Sequence, residues 1–108
     1  MGDSTGFLSC IEDNRHRLER ICRQFTVSRL EVFGSAVDGS FDPEHSDLDF
    51  LVEFSRPPGT NAFHQYFDLQ FALADLFGRK VDLVDATAMR NPYFIESVNR
   101  SRKLLYAA

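Results

Sequence analysis

Three aspartates, Asp47, Asp49 and Asp82, are the residues of this chain best suited by type and spacing to do chemistry. Asp47 and Asp49 open the run DLDFLVEF. Residues two apart on a strand project from one face, with Cα atoms roughly 7 Å apart, so two carboxylates would stand side by side and repel. A divalent cation resolves that conflict. Hard oxygen ligands suit magnesium, and magnesium is usually completed by water and substrate phosphate, so the expected co-ligand is a nucleoside triphosphate. A third carboxylate on a neighbouring strand can help bind a second ion or take a proton from an attacking hydroxyl. Asp82 has that facing in the run GRKVDLV, whereas Asp85 would point with Val81 and Leu83 and reads as a cap or loop residue.

Gly34 and Ser35 come next in interest. They end an apolar segment at a tight turn, where a missing side chain lets backbone N–H groups approach a phosphate and a hydroxyl adds another hydrogen bond. The dipeptide alone is a weak signal, and an isolated Asp-x-Asp is more often a solvated strand edge. Their order gives them weight: strand, Gly-Ser, polar connection, then two aspartates opening an otherwise apolar strand. Glu53 lies deeper along that strand and reads as a surface or salt-bridged residue, and His45 as a loop histidine.

The elements that must position these residues follow from periodicity. Apolar residues from Phe7 to Phe25 recur at three- and four-residue intervals, predicting one amphipathic first helix. Arg29 to Phe33 alternates as a first strand, with Leu30 and Val32 on one side and Arg29 and Glu31 on the other. Gly39, Asp42 and Pro43 mark a polar connection. The second strand, Asp47 to Phe54, has an apolar back of Leu48, Phe50, Val52 and Phe54 and an acidic front. A helix from about Asn61 to Phe77, capped by Thr60 and ended by Gly78, precedes a third strand from Lys80 to Val84. Asn91 and Pro92 start a third helix running to about Asn99, and Lys103 to Tyr106 closes the chain as a short strand or helical tail. On the middle helix, Phe63, Tyr66, Phe67, Phe71 and Phe77 occupy too many sides for all to be core, and an exposed subset would mark a partner surface. Tyr93, Phe94 and Ile95 raise the same question, while Arg100, Arg102 and Lys103 read as a solvated basic tail.

The 108 residues suit one domain with one core. With 44% hydrophobic and 26% charged residues the composition is that of an ordinary globular protein, and the net charge of −4 disfavours direct nucleic-acid binding. No apolar run approaches the roughly 20 residues that span a bilayer, and the amino terminus has no signal-peptide pattern, so a cytoplasmic location and no membrane partner are expected. Cys10 and Cys22 fit neither a disulfide framework nor a zinc knuckle and read as reduced packing residues.

The segments VFGSAVDGSFDPEHSDLDFLVEF and GRKVDLV resemble the minimal nucleotidyltransferases (MNT) of the DNA polymerase β superfamily, and the likeness covers nearly the whole chain. The resemblance implies an α/β (α+β) fold: a small nucleotidyltransferase domain over residues 1–108, its short mixed sheet packed against helices on one face. It implies that Ser35, beside Gly34, contacts nucleotide phosphates, that Asp47 and Asp49 bind Mg2+, and that Asp82 completes the triad, with ATP as co-substrate. Many such proteins are antitoxins of HEPN-domain toxins, some transferring AMP to a toxin tyrosine, which makes a HEPN protein the expected partner. One departure stands out: where relatives often carry Ala-Arg-Gly after the serine, this chain has Val37, Asp38 and Gly39. Without that arginine, the task of meeting the triphosphate would fall to Arg79, Lys80 or a partner. The alternative is an antitoxin that neutralises its partner by binding alone. A third reading, transfer to a small molecule, needs an acceptor pocket that a chain this short has little room to build.

Overall fold

A computed structural model describes residues 6–38, 42 and 47–108. Gly39, Pro43, His45 and the side chains of Phe7, Leu8 and Asp38 lie outside the described residues. The elements are α1 (Gly6–Asp13), α2 (Arg15–Gln24), β1 (Val27–Phe33), α3 (Ser35–Asp38), β2 (Leu48–Phe54), α4 (Ala62–Phe77), β3 (Val81–Asp85), a 3-10 turn (Ala86–Ala88), α5 (Pro92–Ser101) and β4 (Lys103–Ala107). The expected first helix is two. Asn14 breaks it by turning its side-chain amide back onto the Cys10 carbonyl at 2.9 Å, the local bonding that makes asparagine a poor residue for a helix interior.

The four strands form one mixed sheet in the order β3-β2-β1-β4. β1 pairs antiparallel with β2 and β4, and β2 pairs parallel with β3, a connection that needs a crossover, supplied by α4. The α/β class, the mixed sheet and the nucleotidyltransferase-like order expected from the sequence are all present. The apolar back is where the alternation put it: Leu30, Val32, Leu48, Phe50, Val52, Val81 and Leu83 are buried with Leu18 and Cys22 of α2 and Leu69 and Leu73 of α4. Burial pushes the Cys22 thiol up to about 12, so it is an inert packing residue, and both cysteines are free.

Helix boundaries follow their caps. Asn61, rather than Thr60, caps α4, its side chain accepting from His64 N–H at 3.1 Å, while the Thr60 hydroxyl donates to the Pro57 carbonyl. Gly78 ends the helix in the left-handed conformation, φ 65°. Asn91 caps α5 with Pro92 in its first turn. Of the aromatics on α4, Tyr66 and Phe77 pack against the core, whereas Phe63 and Phe71 are 66% and 70% exposed.

The acidic front is also partly roofed. Val98 of α5 packs on Phe33 and Leu51, with Val84, Ala86 and Met89 around them, forming a second, smaller cluster. The tail beyond α5 is a strand, and the expectation of a solvated basic tail fails at Arg102. Pairing of β4 with β1 brings Arg102 over Glu31, which it binds through two nitrogens at 2.5 and 3.1 Å, with Arg29 a further 3.5 Å away. Glu31, on the side opposite Leu30 and Val32, is 4% exposed. The hydrogen bonds from Arg102, and then those of Arg29, outweigh burial and hold its carboxyl below the ordinary 4.5.

Removing Arg102 leaves the buried Glu31 carboxylate with Arg29 as its remaining cation, 3.5 Å away. Arg102→Met should therefore lower unfolding free energy by about 2 kcal/mol in urea titration. Because the folded value of Glu31 is depressed, its stabilisation is complete above 4.5 and is lost as the pH falls through the folded value. The variant should accordingly show a shallower acid limb in stability against pH.

Candidate functional site

Asp49 is the point where two strand registers meet. Across the antiparallel pair it stands opposite Phe33, the last residue of β1, and across the parallel pair it stands opposite Asp82. Aligned residues on neighbouring strands project from the same face, so the Asp49 and Asp82 side chains share the front of the sheet. Asp47 lies just ahead of β2, half-buried. The Asp49 carboxyl is pushed up to about 6, first by partial burial, then by the charge of Asp82 and a hydrogen bond with it, and then by Asp47. Both of the other carboxylates singled out in the sequence thus act on Asp49.

The Gly34–Ser35 turn closes the site from the other side. Gly34 has φ 78°, a left-handed conformation in which side chains are strained. A Cβ at this position would lie 2.7 Å from Asp49 Oδ2. Glycine is therefore needed twice, for the turn and for the approach of the backbone to the carboxylate. Ser35 follows as the half-buried first residue of α3. The Gly34 N–H, expected to be open to a phosphate, donates instead to the Ser101 hydroxyl at 2.8 Å. That amide is therefore already taken within the chain, and the Ser35 hydroxyl is the polar group of the pair for which no such internal bond stands among the described residues.

The surroundings sort the remaining candidates. Asp85 is the cap it was expected to be: it accepts from the Thr87 N–H and hydroxyl and pairs with Arg56 at 3.2 Å. Bonds from Thr87 and Arg56 outweigh burial and lower its pKa. Lys80 Nζ stands 3.9 Å from Asp47 Oδ2 on an exposed side chain, which puts a cation at the rim of the site. Tyr66 donates to the Leu83 carbonyl, and burial, Asp82 and Asp85 together raise its phenol above the usual range. Ser101 and Tyr66 were not singled out for the site. Ser101 meets Gly34 across 67 positions of sequence, and no local pattern marks such a contact.

The donor chemistry fits a hard divalent ion: Asp49 and Asp82 present carboxylate oxygens from aligned positions on one face, and burial followed by the neighbouring carboxylates keeps the Asp49 proton on to about 6. Among the described residues no three carboxylate, thiol or imidazole groups already enclose an ion, so the fit is one of donor chemistry and not of a closed cage. Open coordination of this kind is usual where water and phosphate oxygens complete the shell.

A family model described as a nucleotidyltransferase domain matches residues 15–105. The chain belongs to this family. A relative from Methanocaldococcus jannaschii, provisionally named a protein adenylyltransferase, is 36% identical over 92 residues, covering 84% of this chain and 90% of the relative. A solved structure provisionally described as a minimal nucleotidyltransferase is 30% identical, with a TM-score of 0.68 over 89% of this chain and 93% of the other. The same fold also appears in a complex of tri-AMPylated Shewanella oneidensis HEPN toxin with MNT antitoxin, at 20% identity and a TM-score of 0.61 over 90% of this chain and 72% of that one. The last likeness speaks to fold alone. The resemblance to minimal nucleotidyltransferases is borne out, and the chain is read from here as a nucleotidyltransferase domain.

Gly34→Ala should cost about 1–2 kcal/mol in a thermal or urea melt from the left-handed backbone alone. It should also displace Asp49, so that nucleotide binding falls further than the loss of stability accounts for.

Proposed function

We propose that this nucleotidyltransferase domain transfers AMP from ATP to a hydroxyl of a protein acceptor, with a HEPN-domain toxin as partner. The observation that carries the reading is the alignment of Asp49 with Asp82 on adjacent parallel strands, with Gly34 pressed against Asp49. Asp47 and Asp49, with Asp82 completing the set, would hold Mg2+, which neutralises charge on the phosphates and polarises the α-phosphorus. Ser35 donates its hydroxyl to a phosphate oxygen. Asp82, exposed opposite Asp49, accepts the proton of the acceptor hydroxyl as its oxygen bonds to the α-phosphorus. The bond from that phosphorus to the bridging oxygen breaks, and pyrophosphate leaves.

A protein acceptor accords with the name of the 36% identical relative, a protein adenylyltransferase. It also accords with the surface, since Phe63, Phe67 and Phe71 line an exposed side of α4 with Phe63 and Phe67 rings 4.6 Å apart, an apolar patch of the sort that meets other proteins. The sequence Val37-Asp38-Gly39 favours the second reading, an antitoxin that acts by covering its partner, because it offers the triphosphate no guanidinium. Lys80, at the rim beside Asp47, is the cation in place to compensate.

Incubating the protein and its co-expressed partner with α-labelled ATP and magnesium should place label on the partner, and Asp47→Asn/Asp49→Asn should abolish it. Intact binding with no label from the wild type, and neutralisation retained by the double variant, would establish the covering antitoxin instead.

A further inference from the structure

The turn that carries Ser35 is held by the far end of the chain. Gly34 N–H donates to the hydroxyl of Ser101, the last residue of α5, at 2.8 Å. The next residue, Arg102, grips Glu31 through two nitrogens and donates to Asn99 at 2.7 Å. The corner between α5 and β4 is therefore stitched to the end of β1 at two points, one of them the catalytic-side turn itself. Glycine is the softest residue of the backbone, and at φ 78° nothing in its own side chain fixes the turn. On one side the turn abuts Asp49, whose Oδ2 would lie 2.7 Å from a Cβ on Gly34; on the other it is tied to Ser101. These two contacts, together with the Val37 N–H that donates to the Gly34 carbonyl at 3.0 Å, hold the turn beside Asp49.

We infer that Ser101 is a positioning residue for the nucleotide: its hydroxyl fixes the Gly34 amide, and through it the distance at which Ser35 meets a phosphate held beside Asp49. The inference rests on the reading of this site as the nucleotide site. Ser101 touches no reacting group. Its effect falls on binding common to ground and transition states, which raises KM and leaves kcat nearly unchanged.

The test compares Ser101→Ala and Ser101→Thr with wild type in three measurements: KM and kcat for ATP in the labelling reaction, the Kd of a non-hydrolysable ATP analogue, and backbone amide exchange. Loss of one hydrogen bond of about tenfold worth should raise KM and Kd about tenfold in Ser101→Ala, with kcat within about twofold. Threonine keeps the hydroxyl and should return both constants to within about twofold of wild type. Gly34 should lose amide protection in the alanine variant only, while Val32 and Phe50 keep theirs. Wild-type affinity in Ser101→Ala despite an unprotected Gly34, or failure of threonine to rescue, would overturn the positioning role while leaving the nucleotide site standing. A wild type that neither binds the analogue nor transfers label would overturn both.

Discussion

The parallel pairing of β2 with β3 is the constraint on which the site depends, because it sets Asp49 directly against Asp82. Bringing two carboxylates together on a partly buried face is unfavourable, and the cost shows as an Asp49 carboxyl pushed up to about 6. A fold that relaxed would separate them. The pairing persists because the opposite face of the same strands is fully committed: Leu48, Phe50 and Val52 are each 0% exposed, and a one-residue slip of β2 would turn all three to the front. The apolar back thus fixes the acidic front.

The outer strands are secured in the same spirit. Lys80 O faces β2 and accepts Leu48 N–H, so by alternation the Val81 and Leu83 carbonyls point away from the sheet. Both are taken by side chains four apart on α4, Gln70 at 2.9 Å and Tyr66. At the opposite edge Arg15 donates to the Leu105 carbonyl at 2.6 Å. With both outward carbonyls of Val81 and Leu83 occupied, strand addition is discouraged along β3, and Arg15 blunts the β4 edge at Leu105.

Much of this was legible in the sequence because it is local. Period-two alternation in Leu48 to Phe54 put Asp49 on the front, and the same alternation in Val81 to Val84 put Asp82 there; the register then brought them together. Caps at Asn91 and Gly78 are local chemistry too. What escaped depends on contacts between distant segments. Arg102 looks like one more surface cation until β4 lies along β1 and sets it on Glu31, and Ser101 looks like an unremarked helix end until the same pairing brings it to Gly34. Even the break at Asn14 is local side-chain bonding that amphipathic spacing cannot see, since the Asn14 side-chain amide shares the Cys10 carbonyl with the residue's own backbone N–H.

The central claim is that Asp49 and Asp82, with Asp47 beside them, form a divalent-cation site next to the Gly34–Ser35 turn. Titration of the isotope-labelled protein with Mn2+ in the presence of a non-hydrolysable ATP analogue tests it most directly. The account predicts paramagnetic broadening centred on the amides of Gly34, Ser35, Asp49 and Asp82, reversed by excess Mg2+ and absent in Asp49→Asn/Asp82→Asn. Broadening centred elsewhere, or unchanged in the double variant, would contradict it.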